Sequence, residues 1–286
     1  MKLKDKVALV VGASQGSGRA YVLALAREGA KVIAAARTLS KPSEPDSILT
    51  LEGIAREAAR EGFSVDTIAC DVERDAEVHD MVERAIADHG RIDVLVFAVG
   101  IYPRHDAFTI TAQQWDRVMD VNVRGAYYLV RSVAPHMIAQ GSGSIVLLTS
   151  ACADTTGGAS GHQDLLMYCI SKAAVNRLTT WCADEFRPHG IAVNAFSPGT
   201  TLTETMRRLY PDKYEEHLKA GSGNVPTPEV LGPPIVYLAQ QSAQTLTGQI
   251  FHTNTFGSGW GPRDEDMKVL AADPIVIPHD PNAPAR

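Results

Sequence analysis

The sequence contains no hydrophobic run long enough to cross a membrane and no excess of basic residues. Its longest apolar runs, such as residues 94–99, fall far short of the ~20 residues that a membrane-spanning helix needs. Lys and Arg total 27 and Asp and Glu total 33, so the formal net charge is −6. This acidic balance argues against nucleic acid and against an anionic membrane surface, and we expect neither as a partner.

Cysteine is also scarce. The chain has four cysteines without a C-x-x-C pair, and its nine histidines show no metal-ligand spacing. Residues 1–6 lead into only five apolar residues and do not resemble a secretory signal. We therefore predict a cytoplasmic protein with reduced thiols, without a disulfide framework and without a metal site.

Short runs typical of β-strands alternate with stretches typical of helices along most of the chain. The first pair is the apolar run Val7–Val11 and a helical stretch over residues 19–28. Later helical stretches include two long ones, residues 115–139 and 166–186. This alternation predicts βαβ units with right-handed crossovers. We predict an α/β protein of the Rossmann type, in which helices cover both faces of a doubly wound parallel sheet.

No proline-rich linker divides the body of the chain, so we predict a single domain. It covers residues 1–257 and is followed by a proline-containing tail, residues 258–286. Residues 38–47 and 200–227 lack regular periodicity, and we expect both segments to be surface loops.

A glycine-rich turn joins the first predicted strand to the first predicted helix. Glycines permit a tight turn and a close approach of the backbone to a pyrophosphate, and the helix N-terminus offers unpaired N–H groups to phosphates. An ordinary strand–helix turn can look similar, but the position at the first βα junction favours dinucleotide binding. The predicted cofactor contacts in this turn are Gly12, Ser14, Gln15, Gly16, Ser17 and Gly18.

The end of the second predicted strand bears on the choice of dinucleotide. A carboxylate there would bind the ribose 2′-hydroxyl of NAD, but the sequence continues with Arg37 instead. A guanidinium can pair bidentately with a 2′-phosphate. We therefore favour NADP(H) as the cofactor. NAD(H) is the alternative if Arg37 merely caps a strand at the surface.

Tyr168 and Lys172 are four residues apart in a predicted helix and therefore share one face. A free tyrosine has a pKa near ~10, and a neighbouring ammonium favours the phenolate and lowers that pKa. Such a pair suits acid–base catalysis at neutral pH. By itself, however, this spacing is common and usually marks an exposed pair without a function.

Five motifs occur in a fixed order: the glycine-rich turn, Asn122, Ser150, the Tyr168/Lys172 pair and Ser197-Pro198-Gly199. In this order they resemble the short-chain dehydrogenase/reductase family, over roughly residues 4–257. The resemblance implies a sheet of seven strands and hydride transfer between a nicotinamide and a carbonyl or alcohol carbon. It also implies a homodimer or homotetramer formed through the two long helices.

The resemblance implies roles for four catalytic residues. Tyr168 matches the general acid/base, and Ser150 matches the residue that positions the reacting oxygen by a hydrogen bond. Lys172 matches the residue that holds the nicotinamide ribose and lowers the pKa of the tyrosine. Asn122 matches the residue that supports a proton-relaying water. The structural alternatives are a strand-end cap for Ser150 and a polar kink in its helix for Asn122.

Further cofactor contacts follow from the same resemblance. Asp71 and Val72 match the pair beside the adenine, and the segment 198–203 matches the one that packs on the carboxamide end. The family's usual Asn-Asn-Ala-Gly after the fourth strand is replaced here by Phe97-Ala98-Val99-Gly100. The additional contacts that we expect are Asp71, Val72, Ala98, Gly100, Pro198, Gly199, Thr201 and Thr203.

The substrate side is less well defined by the sequence. The segment 151–167 between Ser150 and Tyr168 is longer than is usual in the family, and we expect it to shape the pocket. The tail beyond Gly257 is also long and would cover the pocket, reach a neighbouring subunit or be disordered. The residues expected to line the substrate side are Tyr102, Cys152, Gln163, Leu166, Thr201 and Met206.

The uncharged character of these residues favours a neutral, fairly apolar ketone or secondary alcohol as the small-molecule substrate, with reduction as the favoured direction. Two alternatives keep the same fold. One is a 3-oxoacyl-carrier-protein reductase, for which Arg207 and Arg208 are the nearby basic residues, and the other is an NAD-linked catabolic alcohol dehydrogenase. A dinucleotide sensor without turnover is a further alternative, against which the intact Ser150, Tyr168 and Lys172 argue.

Overall fold

Seven parallel strands form the centre of the protein, as the computed structural model shows for residues 1–40, 49–153, 164–219 and 226–262. The strands are β1 (Val7–Val11), β2 (Lys31–Ala36), β3 (Val65–Ala69), β4 (Val94–Phe97), β5 (Gly143–Leu148), β6 (Ile191–Ser197) and β7 (Ile250–His252). Their order is β3-β2-β1-β4-β5-β6-β7, and every neighbouring pair is parallel. The predicted α/β fold with a doubly wound sheet of seven strands is confirmed.

Helices cover both faces of this sheet. Alternate residues of β1 point to opposite faces, so Leu9 packs in one buried cluster with Leu129 while Val10 packs in the other with Leu25. Helices α3, α5 and α6 cover the first face, and α1, α2 and α9 cover the second. The α-helices are α1 (Gly16–Arg27), α2 (Leu51–Arg60), α3 (Asp75–His89), α4 (Ala112–Met119), α5 (Gly125–Gln140), α6 (Leu166–Phe186), α7 (Glu204–Leu209), α8 (Pro211–Lys219) and α9 (Gly232–Ala239).

The strand order reverses at β1, which pairs with β2 on one side and with β4 on the other. Val11 lies opposite Ala35 in β2 and opposite Phe97 in β4, so the carboxyl ends of the three strands are aligned. The connections that leave these ends run to opposite faces of the sheet. A doubly wound sheet has its ligand crevice at such a point.

Residues 112–140 are helical without a break, as predicted for residues 115–139, but the helix is not α-helical throughout. A π-helical turn, Asp120–Arg124, separates α4 from α5. Asn122 lies in this turn and is fully buried, because its amide binds the backbone of Ile101 and the hydroxyl of Ser171. These three hydrogen bonds satisfy a polar side chain inside the core and hold the wider turn in place.

The prediction of a loop over residues 200–227 is wrong in part, because this segment contains α7 and α8. The hydroxyl of Thr203 accepts a hydrogen bond from the N–H of Met206 and so caps α7. Pro211 occupies the first position of α8, where its missing N–H costs nothing. Leu202 and Tyr214 form a small buried cluster beneath the two helices.

The end of the described chain packs on the sheet. The ring of Trp260 stacks on Phe251 with centroids 4.4 Å apart, and its Nε1 donates to the carbonyl of His252. The rest of the predicted tail, from residue 263 onward, lies outside the described residues, as do residues 41–48 and 154–163. The division into a domain and a tail at residue 257 therefore remains a prediction.

The described residues contain neither a candidate membrane-spanning helix nor a candidate metal-ligand group. Within them, no helix combines the length and the apolar character that a bilayer span requires. Across the same ranges, histidines, cysteines and carboxylates do not gather in a group of three that could hold a metal ion.

Candidate active site

The glycine-rich turn between β1 and α1 needs glycine at two positions for separate physical reasons. Gly12 has a φ of +92°, and a Cβ on it would lie 2.8 Å from the carbonyl carbon of Ala98. A Cβ on Gly18 would lie 2.1 Å from the carbonyl oxygen of Gly12, because α1 begins directly against the strand. A side chain at either position would collide with neighbouring backbone, so glycine is needed for the close packing of the turn against the end of β4 and against α1.

A cleft of about 520 Å³ opens at the carboxyl ends of the strands and begins at this turn. It brings together most of the site residues that the sequence predicts, from the phosphate side to the substrate side. The predicted residues that line it are Gly12, Ser14, Gln15, Gly16, Ser17, Gly18, Arg37, Asp71, Val72, Ala98, Gly100, Tyr102, Tyr168, Lys172, Pro198, Gly199, Thr201, Thr203 and Met206.

Five predicted residues are not part of this lining. Asn122 lies behind it, while Ser150 and Cys152 lie beside Tyr168, with Ser150 hydrogen-bonded to its phenol. Gln163 falls outside the described residues. Leu166 is 40% exposed on the outer side of α6.

Leu166 therefore does not line the cleft that the described residues form. Leu166 is the first residue of α6, and the phase of that first turn directs it outward together with Ile170, one turn later. The preceding residue, Leu165, is buried and lines the cleft in its place.

Tyr168 and Lys172 lie on the inner face of α6, as their spacing predicts. The Lys172 ammonium is 5.6 Å from the centroid of the Tyr168 ring and donates a 2.8 Å hydrogen bond to the carbonyl of Leu148. Lys172 is buried, whereas Tyr168 is half-buried at the wall of the cleft. A Cβ on Gly100 would lie 3.3 Å from Lys172 Nζ, so glycine at this position, three residues after β4, leaves room for the ammonium.

The pKa of Tyr168 does not follow the expectation that the neighbouring ammonium lowers it. Desolvation raises the pKa of Tyr168 well above its ordinary value, and its hydrogen bond with Ser150 offsets only part of this increase. Desolvation also lowers the pKa of Lys172 to about 8. Both groups lose water at the same place, and the protonated phenol is the stable form at neutral pH.

Asn122 connects the π-helical turn to the helix that carries Tyr168. Its Oδ1 accepts a hydrogen bond from the N–H of Ile101, and its Nδ2 donates to the Ile101 carbonyl and to Ser171 Oγ. The hydroxyl of Ser171 donates in turn to the carbonyl of Tyr168. This chain of hydrogen bonds fixes the backbone of α6 at Tyr168, while the predicted role of Asn122 toward a water remains a prediction.

Three residues at the mouth of the cleft are not predicted from the sequence. The Tyr102 ring lies 5.7 Å from the Tyr168 ring and 5.9 Å from the Tyr210 ring, measured between centroids. The Arg104 guanidinium lies 5.1 Å from the Tyr210 centroid and pairs with Asp164 at 2.6 Å. Tyr210, Arg104 and Asp164 come from three separate segments, so no local sequence pattern could reveal them.

Arg37 follows the last residue of β2 and lines the cleft. Its side chain is 56% exposed, and its guanidinium lies 3.9 Å from the carboxylate of Glu73. At this distance and exposure the ion pair is weak and leaves the guanidinium accessible from the cleft.

The fold and the site together define a class of protein. The cleft lies at the reversal point of a doubly wound sheet. A turn that admits only glycine at two positions borders it, and the N-terminus of α1 faces it. These features fit a dinucleotide. A partly buried tyrosine and a buried lysine at the other end of the same cleft fit an oxidoreductase that protonates or deprotonates its substrate.

Comparison with known proteins identifies the family. The short-chain dehydrogenase family model matches residues 6–214. The 3-oxoacyl-(acyl-carrier-protein) reductase of Thermotoga maritima is 34% identical over 254 residues, which cover 87% of this chain and 96% of that protein. The 2-dehydro-3-deoxy-D-gluconate 5-dehydrogenase of Escherichia coli is 28% identical, with 90% of this chain and 96% of that protein covered.

A solved structure from Beutenbergia cavernae, described as an NAD(P)-dependent gluconate 5-dehydrogenase with NADP bound at low occupancy, is also similar. It is 32% identical, covers 88% of this chain and 96% of its own, and has a TM-score of 0.75. The present chain belongs to the short-chain dehydrogenase/reductase family. It is accordingly an NAD(P)-dependent oxidoreductase that acts on CH–OH or carbonyl groups.

Proposed function

We propose that this protein is an NADP(H)-dependent enzyme that interconverts a neutral, fairly apolar ketone and its secondary alcohol. The observation that carries the proposal is the position of Tyr168. Its phenol is hydrogen-bonded to Ser150 at one end of the cleft whose other end is the glycine-rich turn. Reduction is the favoured direction, because the cytoplasm, where we place the protein, keeps NADP mostly reduced.

Three side chains have separate roles in the proposed reaction. When bound, NADPH supplies the hydride for the carbonyl carbon. The phenol of Tyr168 donates a proton to the carbonyl oxygen, which the Ser150 hydroxyl holds by a hydrogen bond. The raised pKa of Tyr168 keeps this donor protonated at neutral pH. The nearby Lys172 ammonium stabilises the negative charge that the phenol acquires.

The mouth of the cleft supports a neutral substrate. Tyr102, Tyr210, Leu165 and Met206 give it an aromatic and apolar surface. The positive charge of Arg104 is balanced by its ion pair with Asp164, while Arg208, which also lines the cleft, is exposed to water. A ketone with apolar or aromatic substituents fits these surroundings best.

A substrate panel tests this proposal. We expect NADPH-dependent reduction of neutral alkyl and aryl ketones, with kcat/KM at least about tenfold above that of matched keto acids, because moving a carboxylate from water to this apolar wall costs more free energy than moving a neutral group. The decrease in reduced-cofactor absorbance measures the rates. A strict preference for acidic substrates would contradict the proposal.

The second candidate is a 3-oxoacyl-carrier-protein reductase. The Thermotoga maritima relative carries that name, and the exposed Arg208 lines the mouth of the cleft, where a carrier protein would need a basic contact. Inclusion of a 3-oxoacyl thioester in the panel distinguishes the two candidates. Much faster turnover of the thioester than of any simple ketone would favour the carrier-protein substrate.

Arg37 supports NADP(H) over NAD(H), because no carboxylate ends β2 and the guanidinium faces the cleft. The relative from Beutenbergia cavernae binds NADP, which agrees with this preference. An NAD-linked catabolic dehydrogenase is the alternative at this point.

Replacing Arg37 by Ala is expected to lower kcat/KM for NADPH by about tenfold to hundredfold and to leave that for NADH within about twofold. A charge-assisted hydrogen-bonded pair with the 2′-phosphate is lost, and NADH has no group at this position. Steady-state kinetics with both cofactors measure the effect. The matched control is Arg60→Ala, an exposed arginine of α2 outside the cleft lining. Equal losses with both cofactors would contradict the assignment of Arg37.

We also propose a homodimer or homotetramer formed through α5 and α6. Both helices expose large apolar side chains, with Trp181 60% and Tyr127 47% accessible. Leu166 and Ile170 extend the exposed apolar stripe of α6. Such a stripe on a single chain favours burial against a second copy. Sedimentation velocity of the purified protein tests this, and a monomer at micromolar concentration would contradict it.

A further inference from the structure

One carboxylate, that of Glu204, connects the segment after β6 to the glycine-rich turn. Residues 203–205 lie against the glycine-rich turn, since a Cβ on Gly16 would be 3.7 Å from Thr203 Cγ2 and from Thr205 Oγ1. Glu204 lies between these two threonines and is the first residue of α7.

The carboxylate of Glu204 contacts both the turn and α1. Its Oε2 accepts a 3.1 Å hydrogen bond from the N–H of Gly16, and its Oε1 pairs with Arg19 Nη1 at 3.2 Å. The side chain of Glu204 is only 11% exposed and that of Arg19 13%. A charge-assisted contact with so little access to water is much stronger than an ion pair at the surface.

Arg19 continues this connection to a third element. Its guanidinium also pairs with Glu57 of α2, which is similarly shielded from water. Arg19 therefore joins α1, α2 and α7 through one buried cation. The hydrogen bonds of Glu204 and Arg19 hold α7 in a defined place relative to the phosphate-binding turn.

The helix held in this way carries part of the substrate-side wall. Met206 and Arg208 lie in α7 and line the cleft, one turn or less after Glu204. The hydrophobic support of this region is small, because Leu202, Tyr214 and Met206 form a cluster separate from the two main cores. The position of α7 therefore depends strongly on its polar contacts.

We propose that Glu204 is a positioning residue that holds the substrate-side segment against the phosphate-binding turn and thereby couples cofactor binding to substrate binding. The inference rests on the proposed function, because NADPH and a carbonyl compound are the two ligands concerned. Glu204 does not touch the reacting groups Tyr168 or Lys172 in this arrangement. Its loss should affect binding of both ligands more than the chemical step.

The experiment compares Glu204→Ala, Glu204→Gln and Arg19→Met with the wild-type chain. Dissociation constants for NADPH are measured by fluorescence titration, without turnover, and KM and kcat for a ketone are measured at saturating NADPH. We expect Glu204→Ala to weaken NADPH binding and to raise the ketone KM, each by about tenfold or more, with kcat changed by less than about threefold.

The conservative variant separates positioning from a general loss of structure. Glu204→Gln keeps an acceptor for the Gly16 N–H and is nearly isosteric, so we expect it to recover most of the NADPH affinity. Arg19→Met removes the same ion pair from the other side, and in a double-mutant cycle its effect should be clearly less than multiplicative with that of Glu204→Ala. Glu216→Ala, at an exposed carboxylate of the neighbouring α8, serves as the matched control and should leave every constant unchanged.

Two results would overturn the proposal. Tighter NADPH binding by Glu204→Ala would mean that the carboxylate competes with a phosphate of the cofactor for the Gly16 N–H. If Glu204→Gln and Glu204→Ala are both folded and keep the wild-type NADPH affinity and ketone KM, the contacts of Glu204 do not position α7. An inactive wild-type protein that binds NADPH would instead contradict the proposed function, and the titration would still test Glu204.

Discussion

Replacing Tyr168 by Phe is expected to reduce ketone turnover by about a thousandfold or more while leaving NADPH binding unchanged. The substitution removes only the hydroxyl, which is the proton donor that we assign, and general acid catalysis contributes typically about 10²–10⁴-fold. The remaining ring keeps its packing against Tyr102, whose centroid lies 5.7 Å away. Consumption of NADPH measures turnover, and fluorescence titration measures binding.

The matched control for this variant is Tyr237→Phe, because Tyr237 is a half-buried tyrosine of α9 that lies outside the cleft lining and outside the proposed subunit interface. It should retain wild-type rates. Equal activity of Tyr168→Phe and the wild-type chain would contradict the proposed role of Tyr168 as proton donor. Loss of turnover together with normal NADPH affinity would also argue against a cofactor sensor, since the wild-type chain would then be an enzyme that depends on this phenol.

Replacing Lys172 by Met is expected to cause a second large loss of turnover, about a hundredfold or more. The ammonium that stabilises charge on the Tyr168 phenol is then absent, and the ribose contact implied by the family is lost as well. The kinetic constants of the variant measure this loss, with Lys31→Met, an exposed lysine of β2, as the control. Wild-type kcat and KM in Lys172→Met would contradict its assignment.

The same substitution should also change how stability depends on pH. The pKa of Lys172 is lowered from 10.5 to about 8 in the folded chain, so above pH 8 the unfolded chain binds more protons than the folded chain. The free energy of unfolding of the wild-type chain should therefore rise relative to that of Lys172→Met between pH 8 and 10.5. The slope is about 1.4 kcal/mol per pH unit at most.

Urea unfolding of both chains at pH 7, 8, 9 and 10 measures this difference. Below pH 8 the lysine is protonated in both states, and the difference between the two chains should be constant. At neutral pH the buried ammonium costs the wild-type chain on the order of 3 kcal/mol relative to an unperturbed lysine. A difference that stays constant up to pH 10 would show that the lysine is not desolvated in the folded chain.

Much of the fold and the centre of the site can be predicted from the sequence, because local physical rules determine them. Buried strands such as Val7–Val11 require apolar runs, and the close contact at Gly18 admits no Cβ. The spacing of Tyr168 and Lys172 places them on one face of a helix. These features depend on residues that are close together in the chain or on motifs in a fixed order.

The features that could not be predicted depend on contacts between distant segments. Tyr210 and Arg104 reach the mouth of the cleft from loops that no periodicity relates. The two residues Leu165 and Leu166 differ only in the phase of the first turn of α6, which the packing of that helix decides. The raised pKa of Tyr168 depends on the loss of water around the folded site, for which the residue spacing carries no information.

The π-helical turn at Asn122 has a consequence for the outer surface of the protein. A π turn adds one residue relative to an α-helix, so it rotates every later side chain by about 100° around the helix axis. The rotation decides that Leu129 and Val133 face the sheet and that Tyr127 faces outward. One inserted residue thus sets both the anchor behind the helix that carries Tyr168 and the outer surface of α5 through which we propose that a second subunit binds.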